Sequence, residues 1–297
     1  MVKPRRAARS RGSRRLLSVS HLLWVSALAV VACVVVVAAT WPRPFSSMLP
    51  TAGGTTPASA PTSPRPVRTI FATRPPGDAL PTDDECARLV TRARETIPGN
   101  LTYNKQVGSQ QLPASFFDAG SHDQRATTEI AARVTGAYSG STREILQWTA
   151  CKWGIDERIV RAQAQAESSW RQSMKGDWTR NGDYCAPGHD LGEDGRPGRC
   201  PESWGILQVR YRFFSTAFPG AVQSTAFNAD TAYAVWRACY EGYEWWLSNH
   251  SAPGHAYQAG DAWGCIGRWY SGRWYDDLAK EYIDCVQRIT EGRPPCR

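Results

Sequence analysis

The chain has no CxxC pair among its nine cysteines, and His250 and His255 form its one spaced histidine pair, which argues against a zinc module. Eight cysteines (Cys86, Cys151, Cys185, Cys200, Cys239, Cys265, Cys285 and Cys296) lie beyond residue 82, and Cys33 lies in an apolar run. An even set confined to one region points to disulfides in an oxidising compartment. Acidic side chains are almost missing from residues 1–82, which hold 11 Lys/Arg and one Asp, a net of +10. Residues 83–297 hold 24 Lys/Arg against 26 Asp/Glu, a net of −2. The basic character therefore belongs to the tail, and the globular part lacks the composition of a nucleic-acid-binding protein. No long stretch alternates with period two and no internal repeat is present, so the expected class is mainly α.

The N-terminus has a readable organisation. Seven Lys/Arg fall within residues 3–15 of the basic tail, 1–21. Leu22 to Ala39 then runs 18 residues with Ser26 as the only polar side chain. With Thr40 and Trp41 it makes a span of about 30 Å as a helix, the thickness of a bilayer core. Residues 22–41 are accordingly read as an uncleaved transmembrane signal-anchor, with the N-terminus inside and the rest of the chain extracytoplasmic. A cleavable signal peptide, a twin-arginine signal at Arg14-Arg15 and a lipobox ending at Cys33 are the alternatives, and all place the C-terminal part outside. Residues 42–82 hold ten prolines among Thr, Ser and Ala, the composition of an extended linker. At polyproline rise its reach is on the order of 100 Å.

Helices are predicted from about Asp84 to Thr96, Thr127 to Val134, Thr142 to Trp153, and from Asp156 through Glu167. The Gly/Asp/Pro-rich residues 171–202 read as a long loop, followed by helices near Ser203–Phe214, Asn228–Asn249 and Asp276–Glu291. A helical N-terminal lobe (83–144) and a second helical domain (145–297) are expected. Cys185 and Cys200 flank the Gly/Asp-rich loop and are predicted to pair, while the other six cysteines leave 15 pairings open. Asp190-Leu191-Gly192-Glu193-Asp194-Gly195 has the opening rhythm of an EF-hand, but its twelfth position is Pro201, so an acidic turn is expected and no metal.

One carboxyl stands out chemically. Glu167 follows the uncharged stretch Ala162-Gln163-Ala164-Gln165-Ala166, with Trp170 one helical turn on. A poorly solvated carboxyl of this kind keeps its proton at neutral pH and can donate it to a leaving glycosidic oxygen. Any single helix glutamate is more often a solvated surface residue, so the surrounding pattern decides. Gly154-Ile155-Asp156 through Glu167-Ser168-Ser169-Trp170, then Ser203-Trp204-Gly205-Ile206-Leu207-Gln208, then Asn228 to Gly242, and finally Arg268-Trp269-Tyr270-Ser271-Gly272 occur in that order.

These four pieces, within residues 145–275, resemble the SLT-type lytic transglycosylase domain. The resemblance implies a lysozyme-like helical domain that cleaves the MurNAc-β-1,4-GlcNAc bond of peptidoglycan. Glu167 would be the sole acid/base, with the sugar's own C6 hydroxyl as nucleophile and a 1,6-anhydro end as product. Tyr270 would hydrogen-bond that carboxyl. Ser168, Ser203 and Gln208 would shape sugar subsites, and Gly205 would let backbone approach the ligand. Trp204, Trp269 and Trp170 adjoin the motifs and are candidate stacking surfaces for pyranose rings. No metal or organic cofactor is implied, the partner is the glycan strand, and protein partners are left open. The chain departs from the pattern in Ser271, which replaces an Asn, in an insertion of about 35 residues before Ser203, and in its many cysteines. Two other readings are a hydrolytic muramidase, with Asp177 or Asp183 activating water, and a non-catalytic wall-binding ectodomain. An assembly factor with the same chemistry but other partners is a further variant.

Overall fold

The computed structural model describes residues 71–108 and 110–296. The anchor expected at 22–41 lies outside them. Among the described residues no helix is long and apolar enough to cross a membrane. The helices are α1 (Asp83–Leu89), α2 (Leu101–Asn104), α3 (Thr142–Trp153), α4 (Glu157–Ser168), α5 (Tyr211–Phe214), α6 (Gly220–Gln223), α7 (Thr225–Tyr240), α8 (Ala262–Ser271) and α9 (Asp277–Thr290). A small antiparallel sheet of β1 (Lys175–Thr179), β2 (Cys200–Trp204) and β3 (Val209–Arg210), in that spatial order, sits between α4 and α5 in sequence. The protein is mainly helical, as its sequence implies.

Two helices make the centre. Every residue of α7 is buried, and so are eleven of the twelve in α3. A capping box opens α3: Ser141 accepts from the Glu144 N–H, and the Glu144 carboxylate accepts from the Ser141 N–H. Gly154, at φ +58°, closes it in the left-handed conformation that glycine tolerates. The α3–α7 interface also buries charge. Asp230 Oδ2 accepts from Lys152 Nζ at 2.8 Å and from the Thr135 and Gly136 N–H groups at 2.8 and 2.9 Å, and Oδ1 accepts from Trp153 Nε1 at 2.8 Å. Lys152 also meets Asp83 at 2.8 Å, which ties α1 to the centre. Both carboxylate oxygens are hydrogen-bonded and the charge is paired, the condition under which burying such a group is tolerable.

Four disulfides staple this frame. Cys86–Cys151 joins α1 to α3, Cys239–Cys265 joins α7 to α8, and Cys285–Cys296 fastens the segment after α9. Cys185–Cys200 closes the inserted loop onto β2, the pairing read from sequence.

Several boundaries differ from expectation. The first helix stops at Leu89, with Val90 extended, because Thr91 and Ala93 N–H groups bond instead to Gln147 and Glu144 of α3. Residues 127–134 form short π and 3-10 turns. The loop predicted at 171–202 contains β1, and the helix predicted at Ser203–Phe214 is strand, turn, strand and one helical turn. The last predicted part of α7 breaks after Tyr240 and resumes as a 3-10 helix, Trp245–His250. The boundary expected between residues 144 and 145 falls inside α3, so it divides no lobes. Nor do all of residues 42–82 behave as linker: Phe71 is buried, Arg74 N–H donates to Gly154 O at 2.9 Å, and Arg237 donates to the Arg74 and Pro75 carbonyls. Residues 71–82 belong to the folded unit.

Candidate active site

Glu167 sits in the last turn of α4. Asp156 caps the start of that helix by accepting from Arg158 N–H at 2.8 Å. Its end is abrupt. Ser169 and Trp170 both take left-handed backbone, φ +51° and +64°, a conformation that side-chain-bearing residues adopt at a cost. Surrounding bonds hold them there: Trp170 N–H donates to Ala164 O, its indole N–H to Arg161 O, and Asn100 Nδ2 donates to Trp170 O at 2.7 Å. The helix therefore stops at the Glu167–Ser168 pair.

The Glu167 side chain is half-buried and lines a cleft of about 860 Å³. Its carboxyl is pushed up to about 8, chiefly because burial disfavours the charged form. The nearby negative charge of Asp177 pushes in the same direction. The Tyr282 hydroxyl, which donates to Glu167 Oε1, and the neighbouring Trp269 indole, whose N–H donates to Leu207 O, pull against this shift. The carbonyl end of α4 adds its own disfavour of negative charge. Glu167 thus carries its proton through the neutral range.

Tyr282 replaces Tyr270 in the role expected from the sequence. Tyr270 lines the cleft, but its ring is 55% exposed and stacks on Tyr282 at 4.7 Å and 6°. It contributes packing to the Tyr282 ring, and Tyr282, from α9, makes the bond to the carboxyl. Beneath them Tyr233 donates to Gln163 at 2.7 Å, and burial and the Glu167 carboxyl drive the Tyr233 and Tyr282 hydroxyls well above their ordinary range. Both phenols therefore remain donors.

The strand side of the cleft carries Gly176, Asp177, Ser203, Gln208 and Arg210. Ser203 Oγ donates to Asp177 Oδ2. Asp177 has φ +48° within β1, and the β1–β2 register skips it: Gly176 pairs with Ser203 and Trp178 with Pro201. A left-handed residue inside a strand re-aims a side chain and stores strain, a pattern that concentrates at functional sites. Arg210 Nε bonds Glu202 at 2.9 Å and lies 3.8 Å from Asp177. Asp183, the other carboxylate considered for activating water, is exposed on a 3-10 turn and does not line the cleft.

The remaining sequence candidates divide. Ser203, Gln208 and Trp269 line the cleft with Glu167. Gln208 also buttresses the turn, donating to Gly205 O at 2.8 Å, and Trp269 Nε1 donates to Leu207 O at 3.2 Å. Ser168, Gly205 and Trp204 do not reach it. Ser168 is buried, with Oγ donating to Ile206 O at 2.8 Å, so it fastens the Ser203–Gln208 segment to α4. Gly205, at φ +83°, makes room for protein and not for ligand: a Cβ there would overlap the Asn228 amide. That amide and Gln172 in turn clamp the turn through Leu207 N–H, Ile206 N–H and Trp204 O. Trp204 is buried beside His189 and Lys175, and Trp170 packs over Arg161.

Tyr282 is the residue missed. The α9 pattern of Ala279, Tyr282, Ile283 and Val286 marks it as core-facing, but a period does not say which helix it will meet. Among the described residues no group of three or more His, Cys, Asp or Glu side chains converges to hold a metal ion, and Asp194 of the EF-hand-like turn is paired with Lys175. Set against protein-family models, curated proteins and solved structures, the chain matches none.

Proposed function

We propose that this protein cleaves the MurNAc-β-1,4-GlcNAc bond of peptidoglycan, with Glu167 as its acid/base, as a lytic transglycosylase. The observation that carries the reading is a cleft carboxyl whose proton is retained to about pH 8, hydrogen-bonded by Tyr282. Such a group is the proton donor that a glycosidic leaving oxygen requires. The order of motifs that resembles the SLT-type domain supports the same choice.

In the first half-reaction Glu167 gives its proton to the glycosidic oxygen as the bond to the anomeric carbon breaks. The carboxylate so formed is stabilised by the Tyr282 hydroxyl. In the second, the C6 hydroxyl of the same sugar attacks the anomeric carbon and returns its proton to Glu167. No water is consumed, the product is a 1,6-anhydro end, and the enzyme is restored. The apolar run at 22–41 and the Pro-rich stretch after it fit an enzyme held outside the cytoplasmic membrane, within reach of the wall.

A hydrolytic reading is favoured by one feature, Asp177. Its carboxylate lines the same cleft, acts electrostatically on Glu167 and sits on strained backbone. A water activated there would give a reducing end. The test uses the full-length chain in detergent with disulfides intact, incubated with purified peptidoglycan beside Glu167→Gln, and mass spectrometry of the released fragments. Anhydro-muramyl ends that vanish in the variant are the expected result. Reducing ends, heavier by one water, would make it a hydrolase, and no release from either protein would leave a glycan-binding ectodomain.

A further inference from the structure

The cleft is larger than the proton-transfer step uses. At about 860 Å³ it lies near the top of the range of roughly 300–1,000 Å³ for single small-ligand sites. One of its walls is a continuous run of rings. Trp269 stacks on Phe214 (5.7 Å, 9°), Phe214 on Phe116 (5.7 Å, 26°), Phe116 meets Phe117 edge-on (4.9 Å), Phe117 lies 5.1 Å from His122, and His122 lies 6.5 Å from Trp246. All six rings line the cleft: Phe116 and Phe117 are buried and back the wall, while Trp269, Phe214, His122 and Trp246 are partly exposed on it. The run begins at the tryptophan beside Glu167 and ends on a residue from the 3-10 helix after α7. Its middle comes from residues 116–122, a segment that the transglycosylase-like motifs do not include.

The wall is built, not incidental. Gln110, just before it, ties the segment to the turn before α7 by accepting from Gly220 N–H at 3.0 Å. Asp123 N–H donates to Tyr243 O at 2.9 Å, and His122 Nε2 lies 3.4 Å from Glu244, which is fully buried against Arg268. Asp118 closes a local turn by accepting from Gly120 N–H and Ser121 Oγ, and stands exposed at the cleft edge. Apolar ring surface next to an exposed acceptor is what an N-acetylated pyranose recognises: a C–H face for the rings and an amide N–H for a carboxylate.

Resting on the reading of the cleft as a glycan-cleaving site, we infer that residues 116–122 and Trp246 form an extended subsite. It binds a further N-acetylamino sugar of the same strand, beyond the two that flank the bond cut. The occupant follows from continuity, because the rings run without a break along the cleft away from Glu167. The subsite selects long strands over short ones.

The test measures binding apart from turnover. Full-length Glu167→Gln in detergent is titrated calorimetrically with β-1,4-linked N-acetylglucosamine oligomers of two, four and six rings, and then again with Trp246→Ala added. The expected result is a three- to tenfold weaker Kd for the six-ring oligomer, the loss of one aromatic contact, with the two-ring oligomer unchanged. Trp246→Phe, which keeps a ring, restores most of the affinity. An unchanged Kd for every length overturns the subsite while leaving the catalytic reading standing. An equal loss at every length also overturns it, as the mark of a structural role. Failure of the Glu167→Gln parent to bind any length would overturn the catalytic reading and the subsite with it.

Discussion

Two carboxyl groups of this protein, one fully buried on α7 and one half-buried at the end of α4, lead opposite lives. Asp230, in the wholly buried α7, is met by a lysine ammonium, two backbone N–H groups and an indole N–H. Glu167, at the end of α4, has one phenol donor and a neighbouring negative charge, and among the described residues no cation pairs with it. A carboxylate supplied with donors and a counter-charge holds structure, because removing any partner strands a charge in low dielectric. A carboxyl supplied with donors alone keeps its proton and is able to give it away. Removal from water thus makes one a rivet and the other an acid, and the cation decides between them.

The sharpest break of this comparison is Glu167→Gln, which should lower peptidoglycan cleavage by roughly 10²–10⁴-fold, the range for one general acid–base group, with the fold intact by circular dichroism. Asp230→Ala should do the reverse. It leaves Lys152 buried without its main partner and should cost about 3–5 kcal/mol in denaturant unfolding. Tyr282→Phe removes a bond that favours the charged form of Glu167. It should slow cleavage about tenfold and carry the basic limb of the rate profile above its wild-type position near pH 8.

Stability against pH tests the same acid without substrate. The Glu167 pKa is raised on folding, so the stability tied to its protonated form is whole below about 4.5 and is lost as pH rises through about 8. Glu167→Gln should therefore melt higher than wild type at pH 9, by about 2 kcal/mol or roughly 4–8 °C after discounting for the open side of the cleft, and the gap should close by pH 4. The smallest effect belongs to Asp177→Asn. It removes a charge that raises the Glu167 pKa, so the basic limb should move to lower pH, opposite to Tyr282→Phe. If cleavage instead stops outright, Asp177 activates a water and the enzyme is a hydrolase.

Much of the frame was readable residue by residue. The Ser141/Glu144 capping box and Gly154 bracket α3, Asp156 starts α4, and a 3.6-residue period carries α9. Cys185 and Cys200 were pairable because 15 residues of loop separate them, while the other three bridges depend on which helices meet. Glu167 was legible as a carboxyl in an uncharged stretch. Ser168, Gly205 and Trp204 were misplaced because a motif shared with a cleft does not say which of its side chains face the ligand. Here Ser168 and Gly205 serve the clamp that aims the turn. The sequence divides β2 between a loop ending at Glu202 and a helix starting at Ser203, because all five of its residues, Cys200 to Trp204, are buried and a strand covered on both faces shows no alternation.

Local chemistry, then, was settled by the sequence itself: where α3 begins and ends and where α4 begins, that the cysteines pair, that the tail is basic and the body is not, and that Glu167 follows an uncharged stretch. These depend on neighbours within a few positions. Tertiary structure alone decided that Tyr282 and not Tyr270 holds the carboxyl, that Asp177 presses on it, and that residues 116–122 wall its cleft. Each of those rests on a contact between helices, strands or loops distant in the chain, where packing in three dimensions determines what a side chain touches.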